Sequence, residues 1–171
     1  GTGWASVHPS IYTDIELSMN RLRHNALPPP TGAPPCRIRD HDRPRPGVLH
    51  HVSHTGDEVW SVRAGTQRQM DVHTIRKLCD IADKYAESRV RFTIRSNIEF
   101  MVSEEKKVAP LIAELEKNGF PVGGTGNSVS MIAHTQGWLH CDIPGTDASG
   151  VVKALMDELY DEFKREEMPN R

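Results

Sequence analysis

Arg89, Arg91, Thr93 and Arg95 recur at every second position of Arg89-Val-Arg-Phe-Thr-Ile-Arg95, with Val90, Phe92 and Ile94 between them. On a β-strand that alternation sets three guanidinium groups and a hydroxyl on one face and the apolar side chains on the other. A guanidinium gives charge-assisted, often bidentate hydrogen bonds to carboxylates, so such a face suits a polyanionic ligand. It suits a solvated outer face as well, because Arg and Thr are common there. Ile98–Val102 reads as the partner strand, joined at Ser96-Asn97. A non-catalytic module binding RNA or a protein partner is the alternative. Against RNA, no aromatic pair sits on the polar face, since Phe92 and Phe100 fall on apolar faces.

Other polar clusters carry weaker chemistry. His50, His51 and His54 hint at a metal, but neighbours on a strand point to opposite faces, so only His50 and His54 share one, and two ligands make a poor site. Gly123-Gly-Thr-Gly126 lacks both the Lys-Ser/Thr of a P-loop and the spacing of a dinucleotide fold. It reads as a turn or a close backbone approach, with anion contact through its amides left open. His134-Thr-Gln136 follows an apolar strand, where either a functional or a backbone-satisfying role is natural. Cys36, Cys79 and Cys141 are scattered, giving neither a disulfide framework nor a CxxC metal motif.

The elements that must position these residues are legible in order. Residues 1–46 hold eight of the twelve prolines and read as an irregular arm or an aberrant leader, with a short helical turn at Ile11–Leu22. Val48–Ser53 and Glu58–Ala64 form an expected antiparallel hairpin, with Trp60 and Val62 on one face and Ser61 and Arg63 on the other. Asp71 caps a helix carrying Val72, Ile75, Leu78, Ile81, Ala82 and Tyr85. After the arginine hairpin, a helix over about 104–118 stops at Gly119, its first turn bent or shortened by Pro110. The order hairpin–helix–hairpin–helix predicts an α+β half-domain over 47–122, with helices on one face of an antiparallel sheet. Pro121–Gly126 reads as a flexible connector into a further, incomplete domain over 123–171. That part holds a strand at Ser128–Ala133 and a last helix from Asp147 with Val151, Val152, Leu155, Met156, Leu159 and Phe163 as its stripe. That stripe must dock back on the preceding domain or meet residues not in this chain.

Composition bounds the rest. The chain has 171 residues, 37% hydrophobic and 26% charged, enough for a soluble core of one domain or a domain and a fragment. A net charge of −2 argues against nucleic-acid binding by bulk charge. No apolar run approaches the ~18 residues of a membrane span and no secretory signal opens the chain, so membrane insertion is not expected and a cytoplasmic location is.

Arg91-Phe-Thr-Ile-Arg95 followed by Glu99-Phe100 resembles the R-x-T-x-R-x-x-x-Q/E-F strand pair of the siroheme-dependent sulfite and nitrite reductases, and Trp60-Ser-Val-Arg-Ala-Gly65 resembles the strand before the first helix of their ferredoxin-like half-domain. Pro46-Gly-Val-Leu49, Cys79-Asp-Ile-Ala-Asp-Lys-Tyr85, Asn97-Ile-Glu-Phe-Met-Val102, Gly123-Gly-Thr-Gly126, His134-Thr-Gln-Gly-Trp138 and Thr146-Asp-Ala-Ser-Gly150 make it most similar to the β-subunit family of the dissimilatory enzymes, over about residues 41–171.

The resemblance implies a siroheme coupled to a [4Fe–4S] cluster, and six-electron interconversion of sulfite and sulfide-level sulfur. It also implies an α2β2 assembly with an alpha subunit and a small cysteine-bearing sulfur carrier. Carried over residue by residue, Arg63, Arg91, Thr93 and Arg95 would meet siroheme carboxylates or the bound anion, and His134, Thr135 and Gln136 would line the same cavity. The sequence departs from the family in three ways. The family's cluster cysteines and its anion-binding lysines both belong beyond Arg171, and residues 1–40 do not resemble the family's arm but suggest a misread frame or a foreign leader. An incomplete subunit, unable to catalyse alone, is therefore expected.

Overall fold

The computed structural model describes residues 38–53, 57–165 and 168–169; Ile11–Leu22, Cys36 and His54 lie outside them. The chain forms two compact units, Gly1–Asp40 with Val52–Glu58, and His41–His51 with Val59–Arg171. Of the first, the described residues are the ends of three strands, β1 (Ile38–Arg45), β2 (Val48–Ser53) and β3 (Glu58–Gly65). The second unit holds the core, the helices and the candidate site.

The sheet runs β1-β2-β3-β5-β4, where β4 is Arg91–Phe92 and β5 is Asn97–Val102. Strand β1 corrects the expectation of an irregular segment up to residue 46. As an edge strand it tolerates Pro44, whose missing N–H is harmless away from the sheet interior. Gly47 turns the chain into β2 at a φ of +77°, and a Cβ there would stand 2.4 Å from Val122 Cγ1.

Trp60, Val62 and Ala64 of β3 lie opposite Val102, Phe100 and Ile98 of β5, so the period-2 patterns of both strands converge on one apolar face. Two helices bury that face, α1 (Val72–Tyr85) through Leu78, Ile81 and Ala82, and α2 (Val108–Lys117) through Val108, Leu111 and Leu115. Val72 and Ile75, expected on the same stripe, are exposed at the start of α1. Asp71 caps α1 as expected, accepting from the Thr74 N–H at 2.9 Å and its hydroxyl at 2.8 Å. Pro110 falls in the first turn of α2, where its absent donor would be unpaired anyway, and a 3-10 turn at Glu105–Lys107 precedes it. Helix α2 ends in a Schellman motif. Gly119 takes φ +83°, and the N–H groups of Phe120 and Gly119 bond the carbonyls of Leu115 and Glu116.

The arginine strand is shorter than its alternation predicts. Thr93 N–H bonds Asn97 O at 2.9 Å, Ser96 N–H bonds Thr93 O at 3.2 Å, and Ser96 sits at φ +59°. The chain thus turns over Thr93–Ser96, two residues before Ser96-Asn97. Val90, Phe92 and Ile94, expected inside, are exposed, Ile94 to 94% at the turn. Phe100 is buried, so one exposed ring rather than a pair remains on this hairpin.

Two further expectations need correction. Ser128–Ala133 forms no strand; Val129 N–H instead bonds Glu162 O at 3.1 Å. The segment at Pro121–Gly126 is a packed element, not a loose connector. Residues Val122–Gly126 are buried, Val122 bridges Ala64, and the Gly65 and Gly123 N–H groups bond Pro121 O and Arg63 O. The last helix is split at Leu159 into α3 (Ala148–Glu158), capped by Asp147, and α4 (Tyr160–Lys164). Its stripe docks back through one ring. Phe163 is 1% exposed, whereas Val151 and Leu155 are exposed. That ring needs glycine beneath it, because a Cβ on Gly123 would lie 2.1 Å from Phe163 O and one on Gly124 2.7 Å from the ring.

Replacing Phe163 with Ala should cost about 3–5 kcal/mol through the cavity left, and Gly123→Ala should also destabilise because backbone must move. Urea unfolding reads both, and a loss under ~1 kcal/mol for Phe163→Ala would show that this ring does not anchor the C-terminal helices. Across α1 and α2, hydrogen bonds from Lys84 Nζ (2.6 Å) and Tyr85 Oη (2.7 Å) hold Glu114 below the usual carboxylate range. A depressed folded pKa gives stability that is complete above that range and is lost as pH falls through it. Glu114→Gln should therefore flatten the acid side of a stability–pH curve and leave its slope near neutrality unchanged.

Candidate functional site

Arg63 on β3 and Arg91 on β4 both stand opposite Glu99 on β5, so the three residues form one rank across neighbouring strands. They lie on the face away from the two helices. Glu99 Oε1 accepts from Arg63 Nε at 2.7 Å and from Arg63 Nη2, while Oε2 accepts from Arg91 Nη2. Arg63 Nη1 donates to Gly124 O at 3.3 Å. Glu99 is wholly buried, the Arg63 side chain is 18% exposed and that of Arg91 60%. A buried carboxylate is costly unless paired and hydrogen-bonded, and here two guanidinium groups meet that need. One positive charge is left over, on the side of Arg91. Along the same face, Ser61 Oγ and Asn97 Oδ1 are buried without a hydrogen-bond partner among the described residues.

The remaining hairpin residues diverge from the even row that the alternation predicts. Thr93 Oγ1 accepts from the Asn97 N–H at 3.0 Å and so holds the turn. Arg95 is exposed within that turn, and Arg89 leans 3.8 Å from Glu87. His134, Thr135 and Gln136 line an open cleft of about 730 Å³ together with Arg68, His140 and Cys141. His134 Nδ1 lies 2.5 Å from Thr135 O, which fixes its ring, and Gln136 O accepts from Ser149 Oγ at 3.5 Å. The structure thus joins Arg63 with Arg91, and His134 with Thr135 and Gln136. Glu99 and Gly124 belong to motifs read from the sequence without a role in holding the arginines, and Arg68 belongs to none. Glu99 alternates with Ile98 and Phe100, a signal that places it on the arginine side.

Some candidate chemistry is spent within the fold. The Gly123 and Gly124 N–H groups bond Arg63 O (3.1 Å) and Phe163 O (2.9 Å), so they are not available to an anion. His50 pairs with Asp42 at 3.1 Å and stacks on Trp60 at 4.7 Å between centroids. Among the described residues, no three His, Cys, Asp or Glu side chains assemble as a metal-binding group, and Cys79 and Cys141 are exposed on separate segments. Guanidinium groups are donors of the kind that carboxylates pair with, and among the described residues no thiolate set for an iron–sulfur cluster is assembled. No helix among the described residues is long and apolar enough to cross a membrane.

Known proteins resemble this chain in sequence and in fold. Residues 51–118 match the nitrite/sulfite reductase ferredoxin-like half-domain. The chain is 48% identical over 136 residues, 75% of its length, to the dissimilatory-type sulfite reductase subunit beta of Archaeoglobus fulgidus, and equally so to those of Nitratidesulfovibrio vulgaris and Megalodesulfovibrio gigas. It spans 37%, 36% and 52% of those relatives. The crystal structure of a dissimilatory sulfite reductase I shares the fold over 88% of this chain and 35% of that one, at a TM-score of 0.64 and 15% identity. The chain is therefore a relative of the dissimilatory-type sulfite reductase β subunits and carries the ferredoxin-like half-domain of the nitrite/sulfite reductases at residues 51–118.

Proposed function

We propose that this chain contributes siroheme-carboxylate and anion contacts to a dissimilatory sulfite reductase, an oxidoreductase interconverting sulfite and sulfide-level sulfur. The observation that carries this reading is the rank of two guanidinium groups on one buried carboxylate, with Arg91 open to solvent beside it. Siroheme is an octacarboxylate, and when bound it supplies the electron transfer at its iron. Within this chain, Arg91 and Arg95 would bind its carboxylates. Arg63 would act from the inner end of the rank, and the Thr93 hydroxyl would add a neutral donor. His134, Thr135 and Gln136 would orient the bound anion from the cleft, where Gln136 offers an amide and His134 a ring nitrogen. The [4Fe–4S] ligands would come from outside the described residues. The same reading brings an alpha subunit, a small cysteine-bearing sulfur carrier and sulfite as partners, in the cytoplasm.

Expressed with its partner subunit and purified, the chain should carry the strong visible absorbance of siroheme; a colourless complex would favour a non-catalytic module binding RNA or protein. Arg95→Ala should weaken siroheme binding by about tenfold, the scale of one lost charge-assisted hydrogen bond, and so lower its occupancy in the purified complex. Unchanged occupancy would remove Arg95 from the site.

A further inference from the structure

We propose that Glu99 is a positioning residue for the anion site, fixing from inside the fold where the exposed guanidinium of Arg91 can reach. This inference rests on the siroheme-carboxylate reading above and adds a residue that the contact pattern alone would pass over.

The division of labour follows from the two oxygens of one carboxylate. Oε1 is held by Arg63 through both Nε and Nη2, and Arg63 is itself tied to Gly124 O through Nη1. Three anchored nitrogens leave Glu99 no freedom to turn. Oε2 then projects toward β4 and takes a single nitrogen of Arg91, Nη2. Arg91 is opposite Glu99 in register, with 60% of its side chain exposed, and its other donors are left for a ligand. An arginine on a two-residue edge strand would otherwise sample many rotamers, and ordering it on binding would cost conformational entropy. A buried, immobile acceptor removes that cost in advance.

The chemistry of position 99 therefore matters more than its shape. Gln is nearly isosteric with Glu but offers one acceptor and one NH2 group. The acceptor would stay with Arg63, which makes the larger number of bonds, and the NH2 group would face the guanidinium of Arg91, donor against donor. Glu99→Gln should release Arg91 while leaving Arg63 in place. Glu99→Asp keeps the buried charge with Arg63 but draws the carboxylate back toward its own strand, beyond the reach of Arg91.

The test is binding of uroporphyrin, a metal-free octacarboxylate, to the full chain, followed by fluorescence at two salt concentrations with each variant shown folded by circular dichroism. Glu99→Gln and Arg91→Gln should each weaken binding by about tenfold. The double variant should be no weaker than either alone, because both remove the same oriented donor. Glu99→Asp should weaken binding like Glu99→Gln and provides the readout if the amide variant does not fold. A structural role alone would lower the melting temperature of the Glu99 variants and leave their affinity at 20 °C, and its salt dependence, as in the parent. That result, or effects of Glu99→Gln and Arg91→Gln that multiply, would overturn the positioning role. Failure of the parent chain to bind uroporphyrin at either salt concentration would instead count against the siroheme-carboxylate reading and take this inference with it.

Discussion

A carboxylate with no exposed surface, held between two guanidinium groups, is the constraint around which this half-domain is arranged. Glu99 cannot be buried on the second face of β5 unless Arg63 and Arg91 arrive from either side, and they arrive only if β3, β5 and β4 keep their register. A slip of one residue would turn Glu99 into the apolar core and Ile98 out of it. The ion pairs therefore do more to select one register than to add net stability, since desolvation offsets much of a buried pair's attraction.

Support for that rank extends through the chain in a chain of close contacts. Arg63 O receives the Gly123 N–H, Arg63 Nη1 bonds Gly124 O, and Gly124 N–H bonds Phe163 O, so the inner arginine is linked to the last helix through two glycines. Only glycine permits this approach, because a Cβ on either would strike Phe163. The Gly-rich segment thus works as a spacer of minimal thickness between sheet and helix, not as a phosphate cradle. This is why its backbone donors point inward.

The candidate site residues then divide by exposure and by how many bonds hold them. Arg63 is clamped, Arg91 is half released, and Arg95 stands at a turn held by the Thr93 hydroxyl and the left-handed Ser96. Such a gradient suits a ligand with many carboxylates around a rigid ring. Under the proposed function, inner contacts would fix one edge, and outer arginines would adapt to the others at a modest entropic cost. The cleft at His134–Gln136 is lined by a different set, neutral donors and the charge of Arg68, and by none of the arginines of the row.

Much of this was readable from residue order. Period-2 and helical spacing placed β2, β3, α1 and α2, because each buries one face against a single core and the pattern is local. Asp71, Pro110 and Gly119 marked helix ends through backbone chemistry that needs no distant partner. The spacing of Arg91 and Glu99, and the alternation around Arg63, set these three on one side of the sheet, since period-2 spacing is written in the strands. Tertiary structure decided what local pattern could not. The turn at Thr93–Ser96 overrode alternation and exposed Phe92 and Ile94, because a hydroxyl and a left-handed serine closed the hairpin early. Proline did not prevent β1, because a sheet edge tolerates it. Ser128–Ala133 stayed out of the sheet, with Val129 bonded to the last helix instead. Above all, the burial of Glu99 between two arginines needs β3, which lies far along the chain from the hairpin of β4 and β5. Residue types told what Glu99 could bind, and only the packing of those strands determined that it would be bound twice and hidden from water.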